Sequence, residues 1–197
     1  MSSSPDAFRR MLMTALATLP LTGLAATSGA GGELRRVGAR KLVAYFSRSG
    51  NTRVVAGLIH RTLHTDLFEI RPATPYPEDY LETVEQARQE RDSGRERALE
   101  AEVSNMPDYD MVFLGFPIWG ETTPPIIRAF LSAHDLSGRT LIPFVTHGGY
   151  GLGNSQSVLA SHAPKARLHP GFVMEADQER RTMNQVNDWL SAVKINS

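Results

Sequence analysis

The feature that most constrains this chain is an alternation. Short runs of apolar, β-branched residues take turns with longer segments of helical periodicity. Residues 41–46 (KLVAYF), 66–70, 111–115 (MVFLG) and 141–146 are short apolar runs bounded by turn residues, as in buried parallel strands. A weak fifth strand is expected to begin at 166–168. Between them, 52–63 carries Val54, Val55, Leu58, Ile59 and Leu63 on one helical face. Residues 124–131 read as a helix with prolines in its first turn, where a missing N–H costs nothing. Helices are also expected over 153–161 and 180–193, the last with Met183, Val186, Trp189, Leu190 and Val193 on one side. Strands alternating with helices predict a doubly wound, five-stranded parallel sheet of order 2-1-3-4-5, with helices on both faces. Pro143 conflicts with this pattern, because proline avoids central strands.

The first thirty residues do not fit the alternation. A short polar stretch ends in Arg9-Arg10, and the uncharged run 11–26 (MLMTALATLPLTGLAA) follows. That run is short and broken by Pro20 and Gly23, which argues against a stable membrane anchor. Small residues then lead to Ser28-Gly29-Ala30, a place where a signal peptidase cuts. Residues 1–30 are therefore expected to be a signal peptide of twin-arginine type, directing the protein to the periplasm. Phe8 stands where such signals usually have Ser or Thr. Residues 31–40 read as a loose lead-in and 41–197 as the domain. The chain has no cysteine, which excludes disulfides and thiolate chemistry. Its net charge is zero, which gives no reason to expect nucleic acid as a partner.

In the expected strand order, ligands bind beyond the carboxyl ends of the strands, between the first and third. The loops after strands one, three and four should carry the chemistry, and all three have unusual composition. The first, Ser47-Arg48-Ser49-Gly50-Asn51-Thr52, joins a strand to a helix. Backbone N–H groups and hydroxyls there suit a phosphate ester, though the same residues also suit an ordinary helix cap. The second, Pro117-Ile118-Trp119-Gly120-Glu121, holds an aromatic able to lie on a planar ligand, or to fold back over the sheet edge. The third, Thr146-His147-Gly148-Gly149-Tyr150-Gly151-Leu152-Gly153, has four glycines and invites close backbone approach. His147 reads as structural before catalytic, so no catalytic residue is named. Residues 76–102 form a long charged insert, read as a solvated helix face with no binding role. A phosphate tail, a linker and a planar heteroaromatic ring explain all three loops at once, and FMN combines them.

At these residues the chain resembles the flavodoxin family, especially its bacterial flavodoxin-like branch. The resemblance is carried by 42–52 (LVAYFSRSGNT), 76–80 (YPEDY), 113–119 (FLGFPIW) and 143–149 (PFVTHGG), in that order. It runs from Lys41 to Gly153 and more weakly onward. It implies FMN held noncovalently, with Ser47, Ser49, Asn51 and Thr52 on the phosphate. It further implies Trp119 beside the isoalloxazine and the third loop's backbone at the pyrimidine edge. Gly120 stands where this branch often carries a second Trp, and Tyr150 where it often has Ser. The expected role is electron transfer or flavin-dependent oxidoreduction outside the cytoplasm. The partner would be a redox protein or a small-molecule electron acceptor. An NAD(P)H-dependent quinone reductase is an alternative, although no second dinucleotide fingerprint is present. An exported flavin- or phosphate-ester-binding module without redox activity is another. A serine hydrolase is disfavoured, since Ser47 and Ser49 lack a G-x-S-x-G elbow.

Overall fold

The computed structural model describes residues 39–175 and 179–193. The expected signal peptide and most of the lead-in lie outside the described residues. Strands β1 (Lys41–Tyr45), β2 (Asp66–Glu69), β3 (Met111–Pro117), β4 (Thr140–His147), β5 (Arg167–Leu168) and β6 (Phe172–Glu175) form one parallel sheet. Its order is β2-β1-β3-β4-β5, with β6 also on β4. Helices α1 (Asn51–Leu63), α2 (Tyr80–Ser93), α3 (Pro125–Ala133), α4 (Ser155–His162) and α5 (Glu179–Ala192) connect or follow the strands. No helix among the described residues is long and apolar enough to cross a membrane.

The pleat sorts each central strand between two cores. Leu42, Ala44, Val112, Leu114 and Phe116 point to one face, under Ile126, Ile127 and Phe130 of α3 and Leu159 of α4. Val43, Tyr45, Phe113, Ile142 and Phe144 point to the other, under Val55, Ala56 and Ile59 of α1 and Val186 and Leu190 of α5. Phe113, Phe116, Phe130 and Phe144 are among the largest fully buried side chains. At about 25 cal/mol per Å² of apolar area, burial on this scale is the main favourable contribution to folding.

Pro143 is accommodated by a break in the neighbouring edge. Leu141 accepts from the His169 N–H at 2.9 Å on the β5 side. Pro143 shares that parity, so its missing N–H also faces outward. There the fifth position splits in two: β5 pairs with Thr140 and Leu141, and β6 resumes at Phe144. Residues 169–171 pass between, and Gly171 backs onto the Pro143 carbonyl. The ladder has no donor at that point, and none is demanded.

The insert after β2 is closed at its base. The Ala73 N–H donates to the Ala98 carbonyl at 2.9 Å and the Glu100 N–H to Arg71 at 2.8 Å, around a Pro72–Leu99 bridge. Asp79 caps α2 by accepting from the Glu82 N–H at 2.9 Å. Gly94 ends the helix in a left-handed conformation.

Candidate functional site

The three loops meet at the carboxyl ends of β1, β3 and β4. Between them opens a cavity of about 790 Å³.

The first loop is shaped by Ser47. Its Oγ accepts from the Gly50 N–H at 3.2 Å and the Arg53 N–H at 3.3 Å, holding the loop in a tight arc. Gly50 is the N-cap of α1 and so offers no capping side chain. The N–H groups of Asn51 and Thr52 therefore find no protein acceptor among the described residues. Arg48, Ser49 and Asn51 line the cavity; Ser47 and Gly50 shape the arc behind them. Thr52 is buried, and its hydroxyl shares a 2.9 Å hydrogen bond with the Thr146 hydroxyl. That hydroxyl ties the first loop to the third.

The second loop is a two-residue turn. Trp119 and Thr122 exchange both backbone hydrogen bonds, at 3.1 and 3.3 Å, around Gly120 (φ 56°) and Glu121 (φ 61°). Two successive positive φ values define a type I′ turn. Glycine meets that demand freely, while Glu121 bears a strain of about 1 kcal/mol. Trp119 folds back over the sheet edge and also borders the cavity. Its ring meets Phe46 and Tyr76 edge-on, with centroids at 5.3 and 4.9 Å, and it also lines the cavity with Pro117, Ile118 and Gly120. Behind it, the Tyr76 hydroxyl donates to Glu90 Oε2 at 3.1 Å, and the Arg97 guanidinium lies 4.0 Å above the Tyr76 ring. Arg97 and Glu90 form an ion pair with only 9% and 13% of their side chains exposed. Burial, then the charge of Glu90, pushes the Tyr76 hydroxyl well above its usual pKa.

The third loop docks on the second. The Ile118 N–H donates to the Thr146 carbonyl at 2.8 Å, and the Asn154 N–H to the Glu121 carbonyl at 3.0 Å. Gly153 (φ 52°) packs so closely that a Cβ would stand 1.9 Å from the Glu121 carbonyl oxygen. Thr146, His147, Gly148 and Tyr150 line the cavity, whereas Gly149 and Gly151 lie outside the lining. The His147 Nδ1 accepts from the Gly149 N–H at 3.0 Å, a bond that folds the loop on itself.

Helix α2 is solvated as expected, and one side of it also borders the cavity. Its Tyr80, Thr83, Val84, Ala87, Arg88 and Arg91 form a wall of the same cavity. The sequence signal was their helical spacing, masked by the charges of the other face. Among the described residues, no group of three or more acidic, histidine or cysteine side chains is placed to hold a metal.

These loops can be compared with known proteins. A sequence profile of the flavodoxin family matches residues 40–193. A protein assigned as a flavoprotein from Bacteroides eggerthii DSM 20697 is 32% identical, with a TM-score of 0.69, covering 79% of this chain and 98% of that one. Another so assigned, from Bacteroides uniformis ATCC 8492, is 29% identical, with a TM-score of 0.70, covering 78% and 99%. A flavoprotein from Lactobacillus acidophilus NCFM, solved in complex with FMN, shares the fold at 19% identity and a TM-score of 0.62, over 74% of this chain and 99% of that one. No curated protein sequence matches. The matched profile spans nearly the whole described domain, and the strand order is that of the family's fold: the chain belongs to the flavodoxin family.

Proposed function

We propose that this protein binds FMN noncovalently at the carboxyl edge of the sheet and uses it for electron transfer outside the cytoplasm. One observation carries the reading. The unpartnered N–H groups of Asn51 and Thr52, at the start of a 13-residue helix, adjoin a cavity whose other end is bordered by Trp119. A phosphate completes the first; a flat ring suits the second. The fit is chemical as well as spatial. Ser49 and Asn51 supply side-chain donors beside the free amides, and Gly50 leaves the approach open.

When bound, the isoalloxazine accepts and returns electrons, singly or in pairs. This chain's residues then have distinct tasks. Asn51, Thr52 and Ser49 hold the ester dianion with N–H and O–H donors. Trp119, fixed from behind by Phe46 and Tyr76, borders the ring. The third loop, locked to the second through Thr146 and Glu121, covers the remaining edge.

Flavin binding is tested by titrating apoprotein with FMN and with riboflavin. FMN is expected to bind at least tenfold tighter, since charge-assisted hydrogen bonds contribute about 1.5–3 kcal/mol each. Ser49→Ala with Asn51→Ala should bring the two ligands close together. Equal affinity of the unaltered protein for both would overturn the phosphate site. Export rests on the pattern of residues 1–30. Arg9→Lys with Arg10→Lys should trap the protein in the cytoplasm on cell fractionation, and undiminished export would rule out the twin-arginine route.

A further inference from the structure

Helix α2 carries a stripe that neither core uses. Tyr80, Val84, Ala87, Arg88 and Arg91 share one helical face on the cavity, and of the helix's residues only Thr83 is buried. Tyr80 is 67% exposed, Val84 46%, and Tyr150 of the third loop 75%. Apolar surface left open around a concave site calls for an apolar guest. A flavin nucleotide fills roughly 530 Å³ at the packing density of organic crystals. The cavity of about 790 Å³ holds more than that.

Toward its C-terminal end the stripe turns cationic. Arg91 commits its Nε and Nη2 to Asp92 Oδ1, both at 3.0 Å. Its Nη1 lies over Gly120, 2.6 Å from where a Cβ would stand. A guanidinium edge thus occupies the space that any side chain at 120 would claim. Arg128 stands nearby, with Nη2 donating to Thr122 Oγ1 at 3.2 Å and Nε buried without an acceptor. Burial, then the charge of Arg91, holds Arg128 below the usual guanidinium pKa. Asp92 offsets part of the charge on Arg91, and a further anion beside the two guanidinium groups relieves the repulsion that remains. The other charges are differently occupied. Arg88 is engaged by Glu85 at 2.9 Å, Arg48 donates to the Glu78 carbonyl at 2.8 Å, and Glu121 adds one carboxylate to the lining.

We propose that the α2 side of the cavity is a second subsite, for a planar aromatic molecule bearing one carboxylate. Its ring lies among Tyr80, Val84 and Tyr150, and its carboxylate meets the Nη1 edge of Arg91. The subsite deepens the flavin reading and rests on it only for what lies alongside: the occupant would be the small molecule that exchanges electrons with the flavin.

The test uses two redox-inert probes of one shape, 2-naphthoate and uncharged 2-naphthamide, titrated calorimetrically into FMN-loaded protein and into apoprotein. Naphthoate is expected to bind loaded protein at least tenfold tighter than naphthamide. Arg91→Gln should abolish that preference and leave FMN affinity within about threefold, while Arg91→Lys should restore part of it. Equal binding of the probes, no binding of either, or an unchanged preference in Arg91→Gln overturns the subsite. Displacement of FMN by naphthoate also overturns it, and leaves the flavin reading standing. Failure of FMN to bind, with Arg91-dependent preference intact in apoprotein, sinks the flavin reading and keeps the subsite.

Discussion

The two ends of the sheet treat the same kinds of residue in opposite ways. At the amino end, Arg40 donates to Asp66 at 3.0 Å and to Asp108 at 2.9 Å, and lies 4.7 Å above the Tyr109 ring. The Tyr109 hydroxyl donates to Asp66 at 2.7 Å, and the Arg40 N–H to Asp110 at 3.0 Å. Cation, carboxylate and phenol answer one another there. At the carboxyl end, amides of Asn51 and Thr52 lack protein acceptors, the Arg91 Nη1 rests on bare backbone, and Tyr150 stands open, while Tyr80, 67% exposed, meets only the Arg48 guanidinium 5.8 Å from its ring centre. The amino end is largely finished by its own residues, with the Arg40 Nε left buried without an acceptor. The carboxyl end is arranged for something else to finish it, which is where a doubly wound sheet places ligands.

The comparison implies a supporting layer, because an open rim must stand on something closed. The Tyr76–Glu90–Arg97 cluster behind Trp119 fills that role. Arg97→Met should cost about 3 kcal/mol in denaturant unfolding, since it leaves Glu90 charged and nearly buried without its counter-ion, held only by Tyr76 and Gln86. The emission of Trp119 should shift as well. Unchanged stability would mean that the rim is held by its loops alone.

Next in size is the junction between the second and third loops. Gly153→Ala introduces a Cβ 1.9 Å from a backbone oxygen at φ 52°. It is expected to cost about 1–3 kcal/mol and at least tenfold in FMN affinity. Hydrogen exchange at the amino ends of β1 and β3 should not respond. If it does, the two ends are one cooperative unit and the contrast between them weakens.

Much of this was legible in the residues. Short apolar runs located the central strands within a residue or two, and the three odd loops located the cavity. Pro143 was legible as a conflict but not as its solution, because the break between β5 and β6 is a tertiary event. The hydroxyl of Thr52 meets that of Thr146, ninety-four residues away, a pairing that no local pattern announces. Helix α2 is solvated, as its charges predict, but its side on the cavity is not legible. Hydrophobic periodicity reports burial against a core, and the α2 stripe faces a cavity, so it stays sparse and mixed with arginine.

A smaller pair of changes crosses the two ends. Tyr109→Phe removes the hydrogen bond to Asp66 and should cost about 1 kcal/mol of stability with FMN affinity unchanged. Ser49→Ala should do the reverse, weakening FMN and leaving the apoprotein's unfolding midpoint in place. Any variant that moved both quantities together would erase the distinction.

The smallest effect is a titration. Burial first, then the charge of Glu90, raises the Tyr76 hydroxyl far above its ordinary value of 10.0. Protonation is thus favoured more in the folded chain than in the unfolded one. The stability this represents is fully present below pH 10 and is lost as pH climbs toward the folded value. At pH 10 the loss is about 0.4 kcal/mol, steepening to about 1.4 kcal/mol per pH unit above it. Tyr76→Phe removes this dependence, so its unfolding free energy, measured against the unaltered protein from pH 8 to pH 11, should fall less steeply. Tyr109 at the amino end is pushed in the same direction, by burial and then by its bond to Asp66. Tyr109→Phe should therefore flatten the alkaline limb as well. FMN affinity should respond to Tyr76→Phe and not to Tyr109→Phe, because only the first phenol stands behind Trp119. Equal sensitivity of FMN binding to both substitutions would show that the closed end of the sheet reaches the open one.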